Sequence, residues 1–210
     1  MMDLLWPNGI TFPEVTDDYI GKYTGWGYCY ESDLMLDMRS KVLTNTLVLD
    51  IGAHIGVHTM WLAGVCGCKV VSFEPVPELA AKLRANVAAN GLEDRVTVIE
   101  SALSDRLRRG RMDNTGNTGQ SHFVDDPEGP VHTYTLDSFG FVDVSLIKMD
   151  VEHHEMQVLA GAERTIDQSS PLLYIEGKDE TLDAWMYPRG YKRFGTYAFT
   201  PVHGYRRNHE

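Results

Sequence analysis

A mostly parallel α/β sheet with helices on both faces is the fold this sequence predicts, and three observations predict it. Short apolar runs of the buried-strand type alternate with stretches of helical spacing. The first such run passes directly into a glycine-rich bend, Asp50-Ile51-Gly52-Ala53-His54-Ile55-Gly56. The length, 210 residues, suits one core that buries roughly 70% of the unfolded surface without a disulfide or metal staple.

The elements follow in order. Residues 1–44 read as an N-terminal cap or lid, rich in aromatics (Trp6, Phe12, Tyr19, Tyr23, Trp26, Tyr28, Tyr30). The cap ends in a helix on which Leu34, Met35 and Met38 recur. Residues 45–210 read as the single main domain. TLVLD (46–50) is a buried strand, and GAHIGVHTMWLAGV turns into a helix. KVVSFEP (69–75) is the second strand. VPELAAKLRANVAANG is a helix with Pro77 near its start and Gly91 past its end. RVTVIESALSD holds the third strand and SLIKMD (145–150) the fourth, with HHEMQVLAGAERTI after it as one helix. PLLYIEG (171–177) is the fifth strand and TLDAWMY a helix; YKRFG and YAFTPV form a closing strand pair. Residues 106–134 interrupt the pattern as a long polar connection, the kind of insertion that often carries function.

Composition excludes several classes. A net charge of −11 opposes a protein built to grip nucleic acid, which needs a basic face. No apolar run approaches the length of a membrane span, and MMDLLWPNG lacks the basic start of a signal peptide. Cys29, Cys66 and Cys68 offer no C-x-x-C pair and read as reduced thiols of a cytoplasmic protein. No motif fixes an oligomeric state.

The chemistry concentrates at the strand ends. Gly52 and Gly56 let the backbone turn sharply and let a ligand approach. A dinucleotide site wants G-x-G-x-x-G with pyrophosphate on the helix amides. Here the middle glycine is missing and Asp50 brings a negative charge to the same place, which repels an anion and suits a cation. S-adenosylmethionine carries an ammonium and a sulfonium. Glu74, ending the second strand, can accept both ribose hydroxyls of either ligand.

The ordered set Tyr30-Glu31, VLDIGAHIG (48–56), FEPVPE (73–78), LRANVAANG (83–91), SALSD (101–105), TLDSF (135–139) and KMDVEHHEMQVLAGA (148–162) resembles class I methyltransferases, the FkbM family in particular. The resemblance covers roughly residues 30–177. It implies a Rossmann-like seven-stranded sheet, bound S-adenosylmethionine and methyl transfer, usually to oxygen. It also implies roles at matching positions. Asp50, Gly52, Ala53 and Gly56 would hold the methionine end, and Glu74 the ribose with Phe73 and Pro75 beside it. Ser101 and Ala102 would line the adenine pocket, Asp150 would lie near the sulfonium, and Glu31 would close over the cofactor. The sequence departs from the family pattern twice. His153 replaces a glycine beside the acceptor site, and His54 stands where Asn is common, an altered contact near the cofactor's amino-acid end.

A hydroxyl acceptor must lose a proton, and a positioned base contributes about 10²–10⁴-fold. His154 is the first candidate, with Glu152 as electrostatic support or alternate base and Asp150 beside them; His153 ranks below. Lys148 shares a strand face with Asp150 and is expected to pair with it or with Glu176. Asp150 and Glu176 end successive strands and admit a divalent metal, although no third ligand is evident. His54 and His58 have chelating spacing but read more simply as packing or cofactor contacts. The acceptor is expected to be a small molecule, glycan or natural product rather than nucleic acid. Arg106, Arg108, Arg109 and Arg111 offer a seat for a phosphorylated acceptor or a solvated surface run, NTGNTGQSH offers groups for sugar hydroxyls, and Trp26, Tyr28 and Tyr30 offer lid walls. Two competing readings are a domain that binds S-adenosylmethionine without turnover and a nicotinamide oxidoreductase.

Overall fold

The computed structural model describes residues 4–113, 121–197 and 201–208. Strands β1 (Leu47–Ile51), β2 (Lys69–Phe73) and β3 (Val96–Ile99) form where the apolar runs predict, as do β8 (Val144–Met149) and β9 (Leu172–Glu176). With β10 (Tyr191–Tyr197) and β11 (Val202–Arg207) they make a seven-stranded sheet of order β10-β11-β9-β8-β1-β2-β3. The five from β9 to β3 are parallel, and the closing hairpin adds antiparallel to β9. Its second strand starts at Val202, later than expected, and residues 198–200 lie outside the described residues.

The period-2 alternation of the strands divides the core. Val48, Val70, Leu146 and Tyr174 face one layer with α2 (Ser32–Lys41) and α4 (Pro77–Ala89). Leu49, Ile51, Ile147, Met149 and Leu173 face the other, with α5 (Glu155–Ala160), α6 (Glu163–Ser169) and α7 (Asp179–Met186). HHEMQVLAGAERTI is thus two helices, not one. The break falls at Gly161, where a Cβ would stand 2.0 Å from the Ser104 carbonyl oxygen. The helix after the bend is also shorter than its pattern suggests: α3 (Val57–Met60) passes into a π-helical turn, Trp61–Val65.

The 106–134 connection, together with residues 102–103 just before it, forms a second sheet that the polar sequence did not announce. β4 (Ala102–Leu103), β5 (Arg108–Asp113), β6 (His122–Asp125) and β7 (Val131–Tyr134) pair in the order β4-β7-β5-β6. Residues 114–120, most of the NTGNTGQSH stretch, lie outside the described residues.

The N-terminal segment, with α1 (Tyr19–Gly25) and α2, is fastened to the sheet layer. Trp6 packs on Trp61 at 6.2 Å between ring centroids, and the Trp61 indole N–H donates to the Met35 carbonyl at 2.7 Å. Asn86 of α4 and Asn90, which caps that helix, each bond the backbone of residues 11–14 as both donor and acceptor. No helix among the described residues is long and apolar enough to cross a membrane.

Candidate functional site

A groove opens at the carboxyl ends of β1, β2 and β8, where open parallel sheets bind ligands. Of the residues expected there, Gly52, His54, Phe73, Glu74, Pro75, Ser101, Ala102, Asp150, Glu152 and His154 line it. Gly52 has φ +80°, and a Cβ on it would lie 1.7 Å from the Asp150 carbonyl oxygen. Two strand ends therefore cross in backbone contact, which only glycine permits.

Glu74 bridges the two loops that frame the groove. One carboxyl oxygen accepts the His54 N–H at 2.8 Å and the other the Val76 N–H at 2.9 Å. Burial raises its pKa, against those two bonds. Each oxygen keeps a second lone pair for a further donor. His54 sits at φ 52°, a left-handed conformation that Asn and His tolerate better than most residues. Its Nε2 lies 3.3 Å from an Asp18 carboxyl oxygen on the cap.

Asp50 differs from its sequence expectation. It is fully buried, lies one residue inside the strand end, and does not line the groove. Strand register places it beside Ser72 and Lys148 on the cap-side face. One carboxyl oxygen accepts from Thr59 Oγ1 at 2.6 Å, and the other has no hydrogen-bond partner among the described residues. Ala53, Gly56 and Glu31 also stand off the groove. Ala53 packs in the core, Gly56 caps α3, and Glu31 is buried with an oxygen 3.2 Å from His58 Nε2. The His54 and His58 side chains thus reach two separate carboxylates of the cap.

Lys148, 2% exposed, reaches Asp150 at 3.2 Å. Burial alone would depress its pKa; Asp150, Asp50, Glu31 and Glu176 outweigh burial and raise it. Burial likewise opposes the Asp150 charge, and Lys148 wins, holding that pKa below the ordinary carboxylate range. Glu176 goes the other way. Burial and the Asp150 charge push it up to about 9, and its protonated carboxyl bonds to Asp150.

Past β8 the chain makes a tight reversal. Glu152 (φ 48°) and His153 (φ 71°) are both left-handed, which is the backbone shape that glycine supplies in the family pattern at 153. His153→Gly should therefore stabilise the fold by about 0.5–1 kcal/mol, the left-handed penalty less the added entropy of the unfolded chain. That corresponds to about 2 °C in Tm by calorimetry, and a lower Tm would show that the histidine ring has a packing role.

The two candidate bases diverge. His154 turns beneath the second sheet, 3.0 Å from Ser104 Oγ and 5.5 Å from the Phe123 ring. Burial and Arg108 lower its pKa. Glu152 instead lines both the groove and a second cavity lying beyond it. Burial first, then Asp150 and Glu155, push its carboxyl up to about 7.

Sequence reasoning did not foresee Ile20, Leu79, Met112 and Phe123 in the groove wall, while Ser121 comes from the NTGNTGQSH stretch expected to contact the acceptor. Met112 and Phe123 are among the few apolar residues in the polar insertion, which was the one available sign. The arginines do not reach the groove. Arg108 pairs with Asp105 and Asp125, and Arg111 with Asp113 and Asp126. Trp26 is exposed and, with Tyr28 and Tyr30, lies off the groove wall. No group of three metal-capable side chains occurs among the described residues.

Comparison with known proteins gives concordant matches. Residues 50–193 match the model of the methyltransferase FkbM domain. The chain is 30% identical over 163 residues to the 2-O-methyltransferase NoeI of Sinorhizobium fredii (strain NBRC 101917 / NGR234), covering 65% of each. Among solved structures, methyltransferase FkbM from Methylobacillus flagellatus KT superposes with TM-score 0.58 at 22% identity, over 77% of this chain and 43% of that one. An rRNA methylase from Streptococcus thermophilus gives 0.53 at 14% identity, over 84% and 95%. The chain thus spans under two thirds of the curated relative and under half of the solved FkbM protein.

Proposed function

The chain belongs to the FkbM methyltransferase family, and on that premise we propose that it moves a methyl group from S-adenosylmethionine to a hydroxyl oxygen of a small-molecule or glycan acceptor. The 2-O-methyltransferase relative supports oxygen as the acceptor atom. Three free, buried cysteines suit a reducing, cytoplasmic setting.

The observation that carries this reading is the convergence of Gly52, Glu74 and Asp150 on one groove. S-adenosylmethionine, when bound, supplies an electrophilic methyl on a sulfonium. Gly52 lets the end of β1 lie in backbone contact with Asp150, which brings both strand ends to the groove wall. Glu74 keeps free lone pairs for two ribose hydroxyls, and Ser101, Ala102, Met112 and Phe123 offer walls for a flat base. Asp150, held ionised by Lys148, places negative charge on the groove wall and favours a cation over a pyrophosphate. Asp50 and Glu31 act from behind the wall, by fixing the bend and the cap. Glu152, at the junction with the second cavity, is the group placed to receive the acceptor proton.

Calorimetry tests the donor reading. The chain should bind S-adenosylhomocysteine and ignore NAD. Glu74→Ala should weaken that binding about 10- to 100-fold, the worth of hydrogen bonds to a charged group. Uptake of NAD with indifference to S-adenosylhomocysteine would sink the assignment and favour the oxidoreductase.

A further inference from the structure

We propose that the second cavity is the acceptor pocket, and that it takes an uncharged polyhydroxylated ring such as a neutral glycoside while rejecting phosphorylated or sulfated acceptors. The proposal rests on the methyl-transfer reading above. The cavity, ≈ 600 Å³, is of the size of small-molecule sites and shares the Glu152 wall with the donor groove. A molecule seated in it therefore meets Glu152 at the boundary between the two. In that arrangement an acceptor oxygen forms the bond to the methyl carbon. The electron pair of the broken carbon–sulfur bond stays on sulfur, and the hydroxyl proton passes to the Glu152 carboxylate.

The lining sets the class of acceptor. The walls combine the carboxyls of Glu152, Glu155 and Glu176 with apolar Met156 and Leu182. Lys178 is the only lysine or arginine among the described residues lining the cavity. Burial first and then the charge of nearby Asp150 already lift all three carboxyls, Glu152 to about 7 and Glu176 to about 9. A phosphate entering there meets the repulsion that the carboxyls relieve by holding protons. A carboxyl near its pKa both donates and accepts, which matches a ring hydroxyl. Apolar side chains suit the C–H face of a sugar. Of the arginines that a phosphate would need, Arg106, Arg108 and Arg111 are paired with carboxylates and Arg109 donates to the Gly129 carbonyl, all outside this cavity.

Saturation-transfer NMR on the full chain, with S-adenosylhomocysteine present, tests this. The probes are methyl glycosides of glucose, galactose and mannose and the corresponding sugar phosphates. The neutral glycosides should bind at least about tenfold better than the phosphates. Labelled methyl from S-adenosylmethionine should appear on neutral members alone. Thr181→Trp, a change at an exposed cavity residue, should erase the glycoside signals and leave S-adenosylhomocysteine affinity unchanged. Equal binding of the phosphates overturns the proposal. So does a glycoside signal that survives Thr181→Trp, or no glycoside binding in a chain that binds S-adenosylhomocysteine. A wild-type chain that fails to bind S-adenosylhomocysteine overturns the donor reading itself, and this inference with it.

Discussion

Replacing Glu152 with Gln should lower kcat about 10²–10⁴-fold, the usual contribution of a positioned base, while leaving S-adenosylhomocysteine affinity nearly unchanged. Glutamine keeps the shape and the hydrogen-bonding capacity but has no carboxylate to receive a proton. The pH profile separates this from a packing defect. Burial, Asp150 and Glu155 lift the Glu152 carboxyl to about 7. Below that value the base is protonated, so wild-type kcat should fall with acid by about a decade per pH unit and level off above it. In Glu152→Gln that limb disappears. His154→Ala should keep it, because His154 is tied up with Ser104 and Phe123 under the second sheet. A limb that survives in Glu152→Gln and vanishes in His154→Ala would reverse the assignment.

The contrast between those two residues shows what the sequence carries and what it does not. The cluster Asp150-Val151-Glu152-His153-His154-Glu155 is legible as a concentration of acid–base groups after a strand. Their directions are not, because two consecutive left-handed residues swing 152 and 153 away from any regular periodicity. The central parallel strands β1, β8 and β9 were legible because they are buried on both faces and read as apolar runs. The second sheet was not. Its strands are short and carry no apolar run, Arg108–Asp113 being Arg-Arg-Gly-Arg-Met-Asp, and only tertiary pairing makes them strands. Asp50 illustrates the same limit. Its position at a strand end is written in the sequence, but the face it points to depends on register with Ser72 and Lys148, which spacing along one chain does not encode.

That register makes Lys148 the residue whose loss should hurt the fold most. It stands directly across from Asp50, reaches Asp150 two residues along its own strand, and feels Glu31 and Glu176 as well. Lys148→Met removes the cation that these acids surround while keeping volume. One half of a buried ion pair left alone costs about 3–5 kcal/mol, which lowers Tm by about 10 °C in a chain of this size. The pH dependence has a definite sign. In the wild type the depressed Asp150 pKa contributes stability above its unfolded value, and that contribution fades as acid protonates it in the fold. Without Lys148 the Asp150 carboxyl keeps the burial that raises its pKa and loses the charge that lowers it, so the folded state is penalised as pH rises and relieved as it falls. The Tm deficit of Lys148→Met should therefore shrink between about pH 8 and pH 5, and adding Asp150→Asn should recover part of it, since replacing both partners removes the orphaned charge. A deficit that is constant with pH, or unrelieved by the second substitution, would mean that Lys148 contributes its aliphatic stem rather than its charge.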